Sequence, residues 1–173
     1  MAECPLYLTD LQTRFGDKIH GIHAQYGDAS VVVKREAIIE LLTWLRDDEK
    51  TLFDLFLDLT AVDYLGRQPR FEVVIHLVSI PFGYRLRLKV PLEEDDAVIP
   101  TITPIYPAAN WFERECWDLY GIKFDGHPDG GVVTDLALEL EVGAAGALGR
   151  HVDAHLRDHL VVGQRGGEHA LHE

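Results

Sequence analysis

The sequence is short of cysteine and of positive charge, and both shortages bear on function. Its two cysteines, Cys4 and Cys116, form no CxxC pair and no Cys/His cluster. We therefore expect reduced thiols and no structural zinc or iron–sulfur site. Lysine and arginine number 16 against 29 aspartate and glutamate residues, which gives a formal net charge of −13. This charge repels nucleic acid and anionic lipid headgroups, so neither is an expected partner.

Long apolar runs and nucleotide-binding motifs are also missing. No run of about 18 apolar residues occurs, so we expect no helix that spans a bilayer. The first ten residues, MAECPLYLTD, have neither the basic region nor the apolar core of an export signal. No GxGxxG or Walker loop is present either. If the protein works at a membrane, its attachment is expected to be indirect, through another subunit.

Aromatic residues are confined to one part of the chain. All 7 Phe, 6 Tyr and 3 Trp lie within residues 1–124, and residues 125–173 also lack Ile, Lys and Met. The first part has enough large apolar side chains for a dense core, whereas the second part does not. We therefore predict one domain over 1–129, followed by an atypical aromatic-free tail over 130–173 that is partly disordered.

Helical and strand spacings alternate within the first part, which predicts an α+β domain with a mixed, mainly antiparallel sheet and flanking helices. A hairpin turn is expected at Gly27-Asp28. Helices are predicted over 5–16, 35–47 and 111–120, and strands over 18–26, 30–34, 54–64, 70–80 and 84–90. An irregular or short-helical connector is predicted over 97–110.

The last predicted strand, 84–90, has two contrasting faces. Tyr84, Leu86, Leu88 and Val90 alternate with Arg85, Arg87 and Lys89, and Pro91 is expected to end the run. The basic face is equally compatible with contact to an acidic subunit and with plain solvation.

Residues 110–129, NWFERECWDLYGIKFDGHPD, form the segment richest in functional groups. On a helix, Glu115 and Asp118 lie three residues apart, and with His127 they suggest general acid–base chemistry in a small stand-alone enzyme. No nucleophile and no metal-ligand spacing accompany them. The favoured interpretation is a structural or interface helix whose Trp111, Trp117 and Tyr120 pack or meet a partner, followed by a tight Gly-His-Pro-Asp turn.

The same segment resembles the signature of the 30-kDa, or C-type, subunit family of respiratory complex I. ERECWDLYGIKFDGHPD is similar to that signature, and the stretches DLTAVDYLGRQPRFEVVIHLVS, YRLRLKVPLEEDDAVIPTIT and YPAANWFERE are similar to the family upstream. The resemblance covers residues 1–129. The matching signature positions are Glu113, Arg114, Glu115, Asp118, Gly121, Gly126, His127, Pro128 and Asp129.

The resemblance implies a structural, non-catalytic subunit in the quinone module of the peripheral arm of a proton-translocating NADH:quinone oxidoreductase. Such a subunit binds no cofactor itself, while NAD, FMN, iron–sulfur clusters and quinone belong to the assembled complex. It packs on the hydrogenase-like 49-kDa, or D-type, subunit, on the cytoplasmic side of the inner membrane. The signature residues would then make intersubunit contacts and shape the turn, and the isolated chain would have no activity.

Two alternatives to this function follow from the sequence. One is the equivalent subunit of a membrane-bound hydrogenase or an F420-type dehydrogenase. The other is a stand-alone binding module.

The tail departs from the family. Gly130 and Gly131 occupy the positions at which the family has a hydrophobic residue and arginines, and a second Gly-His-Pro stretch is absent. Within the tail, His151, His155 and His159 recur every four residues, a helical spacing that suits zinc or nickel. A solvated tail rich in histidine is the favoured interpretation of these residues.

Overall fold

The computed structural model of the chain describes residues 6–25 and 28–129. The chain divides into two units, Met1–Pro128 and Asp129–Glu173, and the fold described here is that of the first. The predicted tail, which includes His151, His155 and His159, lies outside the described residues.

Five strands form the main sheet, in the spatial order β1-β2-β5-β4-β3. Neighbouring strands run antiparallel, except that β2 and β5 run parallel. The prediction of an α+β fold with a mixed, mainly antiparallel sheet is therefore confirmed. The strands are β1 (Ile19–Gln25), β2 (Asp28–Val33), β3 (Leu55–Asp63), β4 (Phe71–Ser79) and β5 (Tyr84–Leu92).

Three α-helices, α1 (Leu6–Phe15), α2 (Ile38–Asp47) and α3 (Ala109–Tyr120), contribute to one apolar core together with one face of the sheet. Helix α2 contributes because it has one apolar face. The residues of this face recur at helical spacing and are fully buried, namely Ile38, Leu41, Leu42 and Leu45. None of the described helices is both long and apolar enough to cross a membrane.

The strand β5 is longer than predicted. It continues through Pro91 to Leu92, and Pro91 is paired with Glu72 of β4. On its other side, β5 pairs with β2 only over Leu86–Lys89, so Pro91 lies beyond that pairing, where a missing N–H group removes no sheet hydrogen bond. The apolar and basic faces of β5 alternate as predicted, since Leu86, Leu88 and Val90 are buried.

The connector predicted as irregular or short-helical contains a strand instead, β6 (Val98–Pro100), which pairs in parallel with β7 (Lys123–Asp125). Three residues are too few to show a two-residue period, so the sequence pattern could not reveal either strand. This small sheet brings the segment after β6 alongside the segment after α3. It thereby positions the candidate site.

Candidate functional site: helix α3 and the turn after β7

Helix α3 separates a buried side from an exposed side. Ala109, Glu113 and Cys116 are buried, at spacings of four and three residues. On the outer side, Trp111 is 72 % exposed and Leu119 is 67 % exposed. A soluble domain normally buries an aromatic and a leucine on the same helix face, so an outward pair of this kind marks a candidate contact surface.

The helix ends at Gly121, whose φ of 71° lies in the left-handed region, and the Gly121 N–H donates to the Trp117 carbonyl. Glycine is the residue that adopts this conformation without steric cost. The termination predicted at Gly121 is thus correct. The chain leaves α3 here and enters β7.

Glu113 is the buried charged group of the site, with 1 % of its surface exposed. Its carboxylate accepts hydrogen bonds from the Thr101 hydroxyl at 2.6 Å and from the Ile102 N–H at 2.7 Å. Burial raises the pKa of the Glu113 carboxyl, and the two hydrogen bonds oppose that rise. The carboxylate therefore ties α3 to the segment that follows β6.

His127 lies against the same carboxylate. Its Nε2 atom is 3.9 Å from a Glu113 oxygen and 3.3 Å from the Asn110 carbonyl oxygen, and its side chain is almost fully buried. Gly126, at φ 79°, makes the preceding turn, and a Cβ atom added there would meet the Thr101 methyl at 3.4 Å. The turn is therefore held against α3 and the Thr101 segment at close range.

The remaining signature residues lie on the outer side or at the end of the turn. Glu115 and Asp118 are exposed, and Arg114 is half-buried with its guanidinium 5.0 Å from the centre of the Trp111 ring. Pro128 is exposed, and Asp129 follows it in the turn. The signature thus divides into an inner set that shapes the turn and an outer set that faces solvent.

This division does not support acid–base chemistry by Glu115, Asp118 and His127. The two carboxylates point outward, whereas His127 packs inward against Glu113. A general base must lie within hydrogen-bond reach of the group that it serves, and these three residues are not brought together.

Thr101 and Ile102, the hydrogen-bond partners of Glu113, were not singled out from the sequence. They lie in the predicted connector, 12 and 11 residues before Glu113. The two threonines of the TIT stretch, whose hydroxyls are 2.9 Å apart in the structure, are polar residues within an otherwise apolar run. These two polar residues in an apolar run are the sequence feature that indicates a buried polar contact at this point.

Cys116 is expected to be inert in the folded chain. It is buried on α3, and burial raises the pKa of its thiol to about 12, with Glu115 and Glu113 adding to the rise. Because the thiolate is the reactive form, alkylation by iodoacetamide at pH 8 should be at least about 100-fold slower than in the urea-unfolded chain. Mass spectrometry of the Cys116 peptide measures both rates, and equal rates would contradict the burial.

The raised pKa of Glu113 predicts a pH-dependent stability. The folded chain holds this proton more tightly than the unfolded chain, whose carboxyl titrates near its ordinary value of 4.5. Wild-type stability should therefore fall relative to Glu113→Gln as the pH rises from about 4.5 through the folded-state pKa, and then level off. Urea unfolding of both full chains from about pH 4 to about pH 8 measures this difference. Wild-type stability that instead rises with pH relative to Glu113→Gln would show a lowered pKa.

The chain resembles known proteins in both sequence and structure. The family described as "Respiratory-chain NADH dehydrogenase, 30 Kd subunit" matches residues 31–135. The C-type subunit of NADH-quinone oxidoreductase from Caulobacter vibrioides is 49 % identical over 109 residues, which are 63 % of this chain and 55 % of that protein. The chain thus spans about half the length of this curated relative.

Two solved structures share the fold. A trypsin-resistant fragment (1-134) of Nqo5 has a TM-score of 0.61 and 33 % identity, covering 71 % of this chain and 98 % of that one. A chain of the membrane-bound sulfane sulfur reductase, an archaeal respiratory membrane complex, has a TM-score of 0.60 and 26 % identity, with 73 % of each chain covered.

Proposed function

The chain belongs to the family of the 30-kDa subunit of respiratory-chain NADH dehydrogenase, and we propose that it is a structural subunit of a proton-translocating NADH:quinone oxidoreductase. Its place is the quinone module of the peripheral arm, where it packs on the hydrogenase-like 49-kDa subunit. It binds no cofactor itself and catalyses no step alone. NAD, FMN, iron–sulfur clusters and quinone are bound elsewhere in the complex.

The observation that carries this proposal is the two-sided arrangement of α3. The inner carboxylate of Glu113 fixes the helix to the Thr101 segment and to His127. The outer side presents Trp111 and Leu119 to solvent, with Glu115 and Asp118 beside them. A rigidly held helix whose exposed side combines an aromatic, a leucine and charges suits a protein–protein contact.

The proposed location is the cytoplasmic side of the inner membrane, with attachment through neighbouring subunits. The formal net charge of −13 disfavours direct binding to anionic headgroups and to nucleic acid. The partners are therefore other subunits of the peripheral arm, with the 49-kDa subunit first among them.

A second candidate is the equivalent subunit of a related respiratory membrane complex. It is favoured by the likeness to the archaeal sulfane sulfur reductase chain at 26 % identity. The 49 % identity to the C-type subunit of the Caulobacter oxidoreductase favours the first candidate. The partner that oxidises the electron donor distinguishes the two.

Co-purification tests the proposal. The full chain, tagged at its N-terminus, is expressed in its host, and the proteins recovered from detergent-solubilised membranes are identified by mass spectrometry. We expect a hydrogenase-like large subunit and NADH:quinone reductase activity in the recovered fraction, and no such activity from the chain purified alone. Recovery of the chain without any partner subunit would contradict the proposal. Recovery with a different donor-oxidising subunit would favour the second candidate.

A further inference from the structure

The face of the sheet opposite the apolar core carries a row of polar residues, one from each strand. The strand register pairs His23 with Ser30, Ser30 with Arg87, Arg87 with His76, and His76 with Asp58. Paired residues on neighbouring strands project to the same side of a sheet. The row therefore crosses all five strands from β1 to β3. We call it the polar row.

Two hydrogen bonds order the β5, β4 and β3 members of this row. The Nε–H group of Arg87 donates to Nε2 of His76 at 2.8 Å, and Nδ1 of His76 lies 2.6 Å from an Asp58 oxygen. Since Nε2 accepts from Arg87, the Nδ1–H group donates to Asp58. This chain of bonds fixes the plane of the Arg87 guanidinium through one of its five N–H groups.

Several polar groups of this surface have no partner among the described residues. Ser30 is 7 % exposed, and its hydroxyl makes no hydrogen bond within residues 6–25 and 28–129. In the same part of the chain, the Arg87 terminal amino groups and the exposed Arg85 guanidinium form no ion pair. Lys89, by contrast, is paired with Glu72 at 2.8 Å. Within the described residues, neither arginine is therefore paired directly with a carboxylate, although the chain has an overall excess of acid.

A shallow cavity lies beside these arginines. It is about 170 Å³ in volume, and its lining includes Leu57, His76, Arg85 and Arg87. Leu57 is the extra residue of a bulge in β3 and is 48 % exposed. Sites for small-molecule ligands usually measure about 300 Å³ or more, so this cavity suits one side chain better than a nucleotide or a cofactor.

We propose that Arg85, together with Arg87 and Ser30 of the polar row, forms a second interaction surface, which receives an Asp or Glu side chain from an acidic segment of a partner subunit. This inference rests on the proposed function, because it requires the chain to be a subunit. The surface differs from the exposed side of α3, since α3 packs with the opposite face of the sheet.

Charge and shape both favour this occupant. A carboxylate pairs with the planar fork of an arginine through two parallel hydrogen bonds, and the buried Ser30 hydroxyl lies next to Arg87 in the register. Leu57 offers an apolar contact for the methylene groups of the incoming side chain. The net charge of −13 disfavours binding of a polyanion to this surface. A single acidic segment is favoured instead, because its side chain lies close to the two arginines.

Zero-length cross-linking tests the surface in the assembled complex. Arg85→Lys places an amine at a position whose side chain makes no hydrogen bond within the described residues. Treating the complex with a carbodiimide, which joins an amine to a carboxylate in direct contact, should link position 85 to an Asp or Glu of another subunit. The linked peptides are identified by mass spectrometry. Lys50, exposed after α2, reports nonspecific coupling in the same sample.

A second experiment measures how strongly the partner subunits retain the chain. Arg85→Gln with Arg87→Gln should lower the salt concentration that releases the chain from its partners by at least about half. Arg67→Gln with Lys50→Gln removes the same charge elsewhere and should leave that concentration unchanged. Two results would overturn the inference while leaving the proposed function intact. One is that position 85 forms intrachain links alone, and the other is that both double variants are released at the same salt concentration. Failure of the wild-type chain to co-purify with any subunit would overturn both.

Discussion

Replacing Trp111 and Leu119 together by alanine should lower the recovery of partner subunits with this chain about 30-fold or more. Both side chains are largely exposed, at 72 % and 67 %, so the folded chain gains little from them. In an interface, buried aromatic anchors contribute about 2 kcal/mol or more each, and about 2 kcal/mol corresponds to roughly 30-fold in affinity. Quantitative mass spectrometry of the co-purified subunits measures the loss.

A matched control separates this effect from general hydrophobic exposure. Leu65, in the turn between β3 and β4, is 79 % exposed and lies outside α3. Leu65→Ala should leave recovery unchanged, and the melting temperature of the double variant should stay within a few degrees of wild type. An equal loss of recovery with Leu65→Ala would argue against α3 as the contact surface.

Replacing Glu113 by alanine should cost about 3 kcal/mol of unfolding free energy at neutral pH. The change removes the acceptor for the buried Ile102 N–H and one of two partners of the buried Thr101 hydroxyl, which also lies 2.9 Å from the Thr103 hydroxyl. Each buried donor left without a partner costs about 1–3 kcal/mol. His127 also loses the carboxylate 3.9 Å from its ring. Urea unfolding of the full chain measures the change.

Two further glutamate variants serve as references for this measurement. Glu115→Ala removes an exposed carboxylate from the same helix and should change stability by no more than about 0.5 kcal/mol. Glu113→Gln keeps one carbonyl acceptor and should therefore cost less than Glu113→Ala. If Glu113→Ala and Glu115→Ala cost the same, the buried hydrogen bonds described above do not stabilise the fold.

Repetitive features of the sequence predicted most of the fold. Strand β5 was predicted from an alternation of apolar and basic residues, in which the buried positions are Leu86, Leu88 and Val90. Helix α2 was predicted from the helical spacing of Ile38, Leu41, Leu42 and Leu45. Each pattern repeats over several residues, so it can be recognised without tertiary contacts. The strands β6 and β7 have three residues each and were missed, because their pairing joins segments about 25 residues apart.

The sequence singles out residues 113–129, but it does not show how their side chains pack. The signature drew attention to residues 113–129, yet sequence spacing treated the acidic residues of α3 alike. Glu113 differs from Glu115 and Asp118 because the chain after β6 presents Thr101 and Ile102 to it. That contact depends on the parallel pairing of β6 with β7, which local spacing cannot show. The polar row likewise depends on strand order.

We propose that the chain packs on a hydrogenase-like subunit through the exposed side of α3. Photo-cross-linking detects this contact: a photoreactive amino acid replaces Leu119 in the full chain, and the intact complex is irradiated in solubilised membranes. We expect a covalent link from position 119 to the hydrogenase-like large subunit, and no such link from position 65 in a parallel sample. A complex that assembles but gives no link from position 119, or links it only to an unrelated protein, would show that α3 is not the contact surface.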